Sequence, residues 1–193
     1  MVKRYRHYFK SEADGLRISV LTICPDMPPY RGILQIVHGM SEYKERYEPF
    51  MEYMAERGYM TVIHDHRGHG QSVRSGDDLG YMYGGGAEAV LKDIQTVNSG
   101  IRKKFPDLPL ILMGHSMGSL AVRAFAAAHD DCMNMLIVCG SPSNRKAKIF
   151  GTALARAEGS ILGFRHRSKL LELLSFGGYA AKFRGEKNRN AWI

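Results

Sequence analysis

The chain has 193 residues, 45% of them hydrophobic and 24% charged, a globular balance that excludes a disordered chain or a membrane-embedded one. No run approaches ~18 consecutive apolar residues, so no transmembrane helix is written here. The net charge of +8 is unevenly placed: Lys/Arg and Asp/Glu number 16 each over residues 1–140, but 11 against 3 over residues 141–193. The body is neutral and the tail basic, so the tail either meets something anionic or lacks an acidic partner segment. The basic start Met1–His7 has no apolar run behind it, which argues against a secretory signal. Cys24, Cys132 and Cys139 are odd in number and scattered, so no disulfide framework is expected, and a cytoplasmic setting fits.

Residues 16–23 read as a strand, and Pro28-Pro29 and Gly32 mark the turn into a short buried strand at 33–37. A helix follows, with Tyr47, Phe50, Met51 and Met54 on one face and Gly58 as its stop. Residues 59–63 form a third strand, and a loop rich in Gly, His, Arg and Asp runs from 64 to about 86. A second helix puts Ala87, Val90, Leu91, Ile94, Val97 and Ile101 on one face and ends before Pro106. A strand at 110–113, an Ala-rich helix at 117–128 and a strand at 135–139 complete the body. Strands alternate with helices, and the later strands are continuous apolar runs. This predicts an α/β fold with a mostly parallel sheet covered on both faces. Function in such sheets sits at the carboxyl ends of the strands. Beyond 141 the pattern changes to short amphipathic helices broken by glycines.

Three loops at those strand ends carry the chemistry. Gly114-His115-Ser116-Met117-Gly118 lies directly between a strand and a helix. A G-x-S-x-G in that context is a nucleophile elbow. Side chains at 114 and 118 would collide with neighbouring backbone, and Ser116 stands at the tip with the positive end of the next helix dipole aimed at it. The second loop, Val37-His38-Gly39-Met40-Ser41, follows an earlier strand. Acyl transfer needs two donors for the developing oxyanion. The backbone N–H groups of Met117 and Met40 are the candidates, with His38 and Gly39 shaping the turn. The plainer reading is a strand-to-helix loop with Ser41 as helix N-cap. The third loop, His64-Asp65-His66-Arg67-Gly68-His69-Gly70-Gln71-Ser72, invites a metal. Its spacing approaches H-x-H-x-D-H, but Gly68 stands where an aspartate is needed, and no downstream ligand cluster appears. A turn held by Arg67 and Asp65 is the expected alternative, with no metal.

Taken together, His-Gly-Met-Ser-Glu at 38–42, Asp-x-Arg-Gly-His-Gly-x-Ser at 65–72 and Gly-His-Ser-Met-Gly-Ser at 114–119 resemble the α/β-hydrolase superfamily, in its monoacylglycerol lipase and lysophospholipase branch. The resemblance covers residues 10–143 well and the tail more loosely. It implies a hydrolase core over 1–143 and a basic helical cap or lid over 144–193. It also implies Ser116 as nucleophile, Met40 and Met117 as oxyanion-hole donors, and Gly114, His115, Gly118 and the 65–72 loop as support. No metal or organic cofactor is implied.

A serine needs a base, and the base an orienting acid. In this fold they follow the serine in the order acid, then histidine. The family places both after two further strands beyond the cap, and this chain ends at Trp192-Ile193. The expectation is therefore a hydrolase truncated at its C-terminus, with an unpaired apolar sheet edge and self-association. Among the histidines after Ser116, His129 sits ~18 Å away at the far end of the next helix. His166 is the remaining candidate, with Glu158 or Asp131 as its acid. The expected substrate is a monoacyl lipid or similar carboxylic ester. Phe150, Leu154, Ile161, Leu162, Phe164, Leu170 and Leu174 are candidates to line an acyl pocket, with helix packing as the alternative. A competing reading is a catalytically incomplete binding module. Its basic tail (Lys146, Lys148, Arg156, Arg165, Arg167, Lys169, Lys182, Arg184, Lys187 and Arg189) would bind an anionic membrane or nucleic acid. No nucleic-acid motif accompanies these charges, so nucleic acid is not expected as a partner.

Overall fold

The computed structural model describes residues 1–142, 146–163 and 165–180. Its backbone divides into two compact units, Met1–Pro142 and Ser143–Ile193. The first holds a six-stranded sheet, β1 (Val2–Lys10), β2 (Arg17–Pro25), β3 (Gly32–Val37), β4 (Tyr59–His64), β5 (Leu110–His115) and β6 (Met135–Cys139), in the order β1-β2-β4-β3-β5-β6. β4, β3, β5 and β6 run parallel, while β1 and β2 join antiparallel at one side. Helices α1 (Glu48–Ala55), α2 (Gly86–Lys104) and α3 (Met117–Ala128) connect them; the second unit has α4 (Lys146–Leu162) and α5 (Lys169–Ala180).

The two faces of the sheet follow from strand alternation. Ile33 and Val37 of β3 face one way and join Val20, Val62, Ile94, Leu112, Val122 and Phe125 in the larger core cluster. Leu34 and Ile36 face the other way, against Met51 and Ala55 of α1. Every residue of β3 is buried, which is why its sequence is apolar apart from Gln35. Its one polar residue, Gln35, is satisfied: its amide donates to the Ile94 carbonyl at 3.1 Å and accepts from the Asn98 amide at 2.9 Å.

The structure departs from the sequence reading in four places. β1 pairs along its full length with β2, from Val2 opposite Pro25 to Lys10 opposite Arg17, and no strand was expected there. Phe50 is 37% exposed, while Met51 is buried and Tyr47 and Met54 are partly buried as expected, with Ala55 joining them on that face. Ala87 is exposed at the start of α2 and Ala89 takes its inward position. Ser41 caps no helix; it has φ 61°, and the turn that follows it, Lys44–Tyr47, is capped at Tyr43. The expectations for Phe164, Lys182, Arg184, Lys187 and Arg189, and for the side chains of Lys146, Lys148 and Phe150, concern residues outside those described.

Arg67 locks the loop after β4 to the rest of the unit. Its side chain is buried; Nε donates to Asp93 of α2 at 3.0 Å, Nη1 to Asp14 at 3.1 Å and to the Gly84 carbonyl at 3.2 Å, and Nη2 to the Ser11 hydroxyl at 2.8 Å. Removing one partner of a buried charge pair costs about 3–5 kcal/mol, because the other charge stays buried. Arg67→Met should therefore lose about 3–5 kcal/mol in urea unfolding, leaving the Asp93 carboxylate uncompensated at 1% exposure. A loss under about 1 kcal/mol would show that this network does not hold the loop.

Candidate active site

The turn from β5 to α3 places Ser116 at its tip, with φ 52° and ψ −115°. A residue with a side chain pays about 1–3 kcal/mol for such a backbone, so the surroundings must hold it there. They do so from three directions. The Ser116 amide donates to the Cys139 carbonyl at the end of β6, 3.0 Å away. Its carbonyl accepts both the amide of Ser119, at 3.0 Å, and the Ser119 hydroxyl, at 2.5 Å. The two motif glycines allow the close packing. A Cβ on Gly118 would lie 2.1 Å from the Val37 carbonyl oxygen, and one on Gly114 would lie 2.4 Å from that of Gly118. No side chain fits at either position.

The loop after β3 comes to the same place. A Cβ on Gly39 would sit 3.2 Å from Cβ of Ser116 and 3.3 Å from Nδ1 of His115. Residues 38–42 and 114–118 therefore meet, as the two motifs predicted. Among the described residues, the amides of Met40 and Met117 have no protein acceptor. Glu42, quoted within a motif but assigned no role by sequence, joins the group: Oε2 accepts from the Gly39 amide at 2.7 Å and the Tyr47 hydroxyl at 2.8 Å, and lies 3.3 Å from Nδ1 of His115. Burial disfavours its charge, but the Gly39 amide, Tyr47 and His115 outweigh that and hold its pKa below the ordinary carboxylate value.

His38 is fully buried and both its ring nitrogens are engaged. Nε2 accepts the His66 amide at 2.9 Å, so Nδ1 carries the proton and donates to the Gly39 carbonyl at 2.7 Å. His66 returns the contact through Nε2 to the His38 carbonyl at 3.0 Å. Burial drives the pKa of His38 down to about 3 and that of His64 down to about 4. These are neutral structural rings. Among the described residues no cluster of His, Cys, Asp or Glu is arranged to hold a metal ion. Asp65 is also structural: Oδ1 accepts the Lys44 amide and Oδ2 its ammonium, each at 2.7 Å, and the two side chains are completely buried. Gly70 is required beside it, since a Cβ there would lie 2.4 Å from the Asp65 carboxyl. Arg67 and Asp65 thus hold the 64–72 turn, as its sequence suggested.

The other histidines are placed apart. His115 is partly exposed beside Glu42. His129 follows the last turn of α3, stacked 4.8 Å from Phe125, a full helix away from Ser116. His166 is exposed in the second unit and Asp131 is exposed in the first, while Glu158 is half-buried between them in sequence. Among the described residues no side chain hydrogen-bonds to the Ser116 hydroxyl. In the second unit, Ile161, Leu162, Leu170 and Leu174 are exposed and Leu154 is half-buried. No helix among the described residues is long and apolar enough to cross a membrane.

Comparison with known proteins places the chain in a family. Residues 28–182 match the family described as serine aminopeptidase, S33. The chain belongs to that family. It is 29% identical over 141 residues to a monoacylglycerol lipase of Mycolicibacterium smegmatis, covering 73% of this chain and 48% of that protein. It is 32% identical over 117 residues to the monoglyceride lipase of Rattus norvegicus, covering 60% of this chain and 36% of that one. Among solved structures, a thermostable carboxyl esterase from Bacillus coagulans superposes with a TM-score of 0.80 at 27% identity, over 98% of this chain and 61% of the esterase. A monoglyceride lipase from Saccharomyces cerevisiae superposes with a TM-score of 0.65 at 21% identity, over 82% of this chain and 52% of the lipase, which bears on the fold alone. The chain thus has the α/β-hydrolase fold and resembles the monoacylglycerol lipase branch, and it spans about half or less of the length of these curated relatives.

The buried histidines should make this core acid-labile. A histidine whose folded pKa lies far below its unfolded value of about 6.5 binds fewer protons folded than unfolded. Stability is therefore complete above pH ~6.5 and falls as pH drops toward the folded values, by up to about 1.4 kcal/mol per pH unit for each such ring. With His38 near 3 and His64 near 4, the unfolding free energy should fall steadily from pH 7 to pH 5. His64→Phe should flatten that slope. Denaturant midpoints unchanged over the interval would contradict the neutral-ring reading.

Proposed function

We propose that the chain carries the nucleophile and oxyanion hole of a serine ester hydrolase acting on a carboxylic ester of the monoacylglycerol or lysophospholipid type. The carrying observation is the meeting of Ser116, at φ 52° on its strand-to-helix turn, with Gly39 of the loop after β3. In this reading the Ser116 Oγ attacks the ester carbonyl carbon and gives up its proton to a general base. The carbonyl oxygen becomes an oxyanion and is taken by the Met40 and Met117 amides, the latter at the positive end of α3. The base returns the proton to the departing alcohol as the intermediate collapses, leaving an acyl group on Ser116, and water deprotonated by the same base then attacks that acyl carbon to release the acid and regenerate Ser116. His38, Gly39, Gly114, His115 and Gly118 shape the site. The chemistry uses no metal and no organic cofactor.

The general base is the open position. His38 is excluded because both nitrogens are occupied and its pKa is driven to about 3. His129 is excluded by its place at the far end of α3. In this fold family the acid and histidine follow the nucleophile in the chain. His166 holds that order, with Glu158 or Asp131 ahead of it.

A fluorophosphonate probe tests the reading, because the Ser116 oxygen displaces fluoride from phosphorus only if it is activated. Labelling of the wild-type chain that disappears in Ser116→Ala is the expected result. Labelling retained in Ser116→Ala, or none in protein shown to be folded, would overturn it.

Two partner proposals accompany the activity. Residues Met135–Val138 of β6 are between 36% and 54% exposed, and the strand carries no charge to discourage pairing. Self-association through this edge should show as oligomers in sedimentation, and Ile137→Lys should shift them toward monomer. An unchanged distribution would remove the edge as the contact. Arg156 and Lys169, exposed in the second unit, favour peripheral contact with an anionic membrane; binding to phosphatidylserine vesicles that falls steeply with salt is expected. Salt-independent behaviour would argue against it.

A further inference from the structure

We infer that Glu42 is a positioning residue of the oxyanion hole: its carboxylate fixes the direction of the Met40 amide by holding the loop segment in front of it. The inference rests on the function proposed above.

The geometry begins with peptide planarity. The Met40 N–H belongs to the same rigid plane as the Gly39 carbonyl and points opposite to it. That plane is anchored at its carbonyl, and the peptide plane before it, which sets where it starts, is anchored at the Gly39 amide. The Gly39 carbonyl accepts Nδ1–H of His38 at 2.7 Å, and the Gly39 amide donates to Glu42 Oε2 at 2.7 Å. Met40 itself contributes no anchor, since it is 49% exposed. Gly39 has no side chain of its own to restrain its backbone. Without the Glu42 bond, the segment would be tethered at one end only, through His38.

Glu42 is suited to the task by what else it touches. The same oxygen accepts the Tyr47 hydroxyl at 2.8 Å and lies 3.3 Å from the His115 ring, the residue before the nucleophile. Its second oxygen lies 3.7 Å from Arg46 Nε. One carboxylate therefore ties the loop after β3 to the start of α1 and to the β5 turn. Bonds to an ionised acceptor are roughly twice as strong as neutral ones. The surrounding donors also absorb the carboxylate's charge, which would otherwise oppose a nearby oxyanion.

The test uses Glu42→Gln, which keeps an acceptor oxygen, and Glu42→Ala, which does not. In 1H–15N spectra at neutral pH, the Met40 amide resonance should move modestly in Glu42→Gln and further in Glu42→Ala, along with that of Gly39. In fluorophosphonate labelling, the maximal rate should fall tenfold or more in Glu42→Ala, with most of it restored in Glu42→Gln and the half-saturating probe concentration unchanged. Thermal unfolding checks that both variants remain folded. A Met40 resonance that ignores both substitutions would overturn the inference, as would equal labelling of wild type and Glu42→Ala. If the wild-type chain does not label, the proposed function falls, and the Met40 resonance alone still decides whether Glu42 sets that amide.

Discussion

The close approach of α3 to the end of β3 is the constraint on which the site depends. The place a Cβ of Gly118 would occupy is 2.1 Å from the Val37 carbonyl and 2.5 Å from that of His38. Helix and strand can touch this closely only because Gly118 has no side chain. That contact carries the first turn of α3 down onto the sheet, so the preceding residue pair must turn sharply. Ser116 then has no choice but the strained positive φ that lifts its hydroxyl over the strand ends. The same contact sets the loop leaving β3 against the elbow, which is why Gly39 meets Ser116. Ser116 and the 38–42 loop are thus brought together by one packing event rather than placed separately.

A second layer keeps that arrangement rigid, and it is polar. The loops after β3 and β4 are bound to each other by the reciprocal His38–His66 contacts and by the Lys44–Asp65 pair, all fully buried or nearly so. An apolar layer would pack as tightly but would not orient backbone groups. Hydrogen bonds do, and the site needs orientation above all. The arrangement has a consequence for ionisation. The rings contribute as neutral donors and acceptors, so protons from solvent act against the fold rather than for catalysis.

Much of this was legible in the sequence where a steric rule acts on few residues. The G-x-S-x-G spacing, the meeting of 38–42 with 114–118, and the parallel strands at 33–37, 59–63, 110–113 and 135–139 all follow from such rules. What escaped has a common cause: it depends on neighbours distant in sequence. β1 carries Lys3, Arg4, Arg6 and Lys10 on an edge strand, so its composition reads as solvent-facing; it is held by ion pairs from Arg4 to Glu52 and from Arg6 to Glu48 of α1. Phe50 fits the helical period but lies at the margin of the buried stripe. Glu42 has no signature of its own, because its importance comes from Gly39, Tyr47 and His115 converging on one oxygen.

The two edges of the sheet are built on opposite principles, and the difference reaches the site. β1 is charged, and its arginines are drawn into ion pairs across the surface. β6 is apolar, and Met135, Leu136, Ile137 and Val138 are all exposed. β6 is also the strand whose last carbonyl, that of Cys139, holds the Ser116 amide, with Cys139 directly opposite His115 in the β5–β6 register. The exposed edge and Ser116 are therefore adjacent. A strand added parallel to β6 would end beside Cys139, at the carboxyl end of the sheet, next to the carbonyl that holds the Ser116 amide.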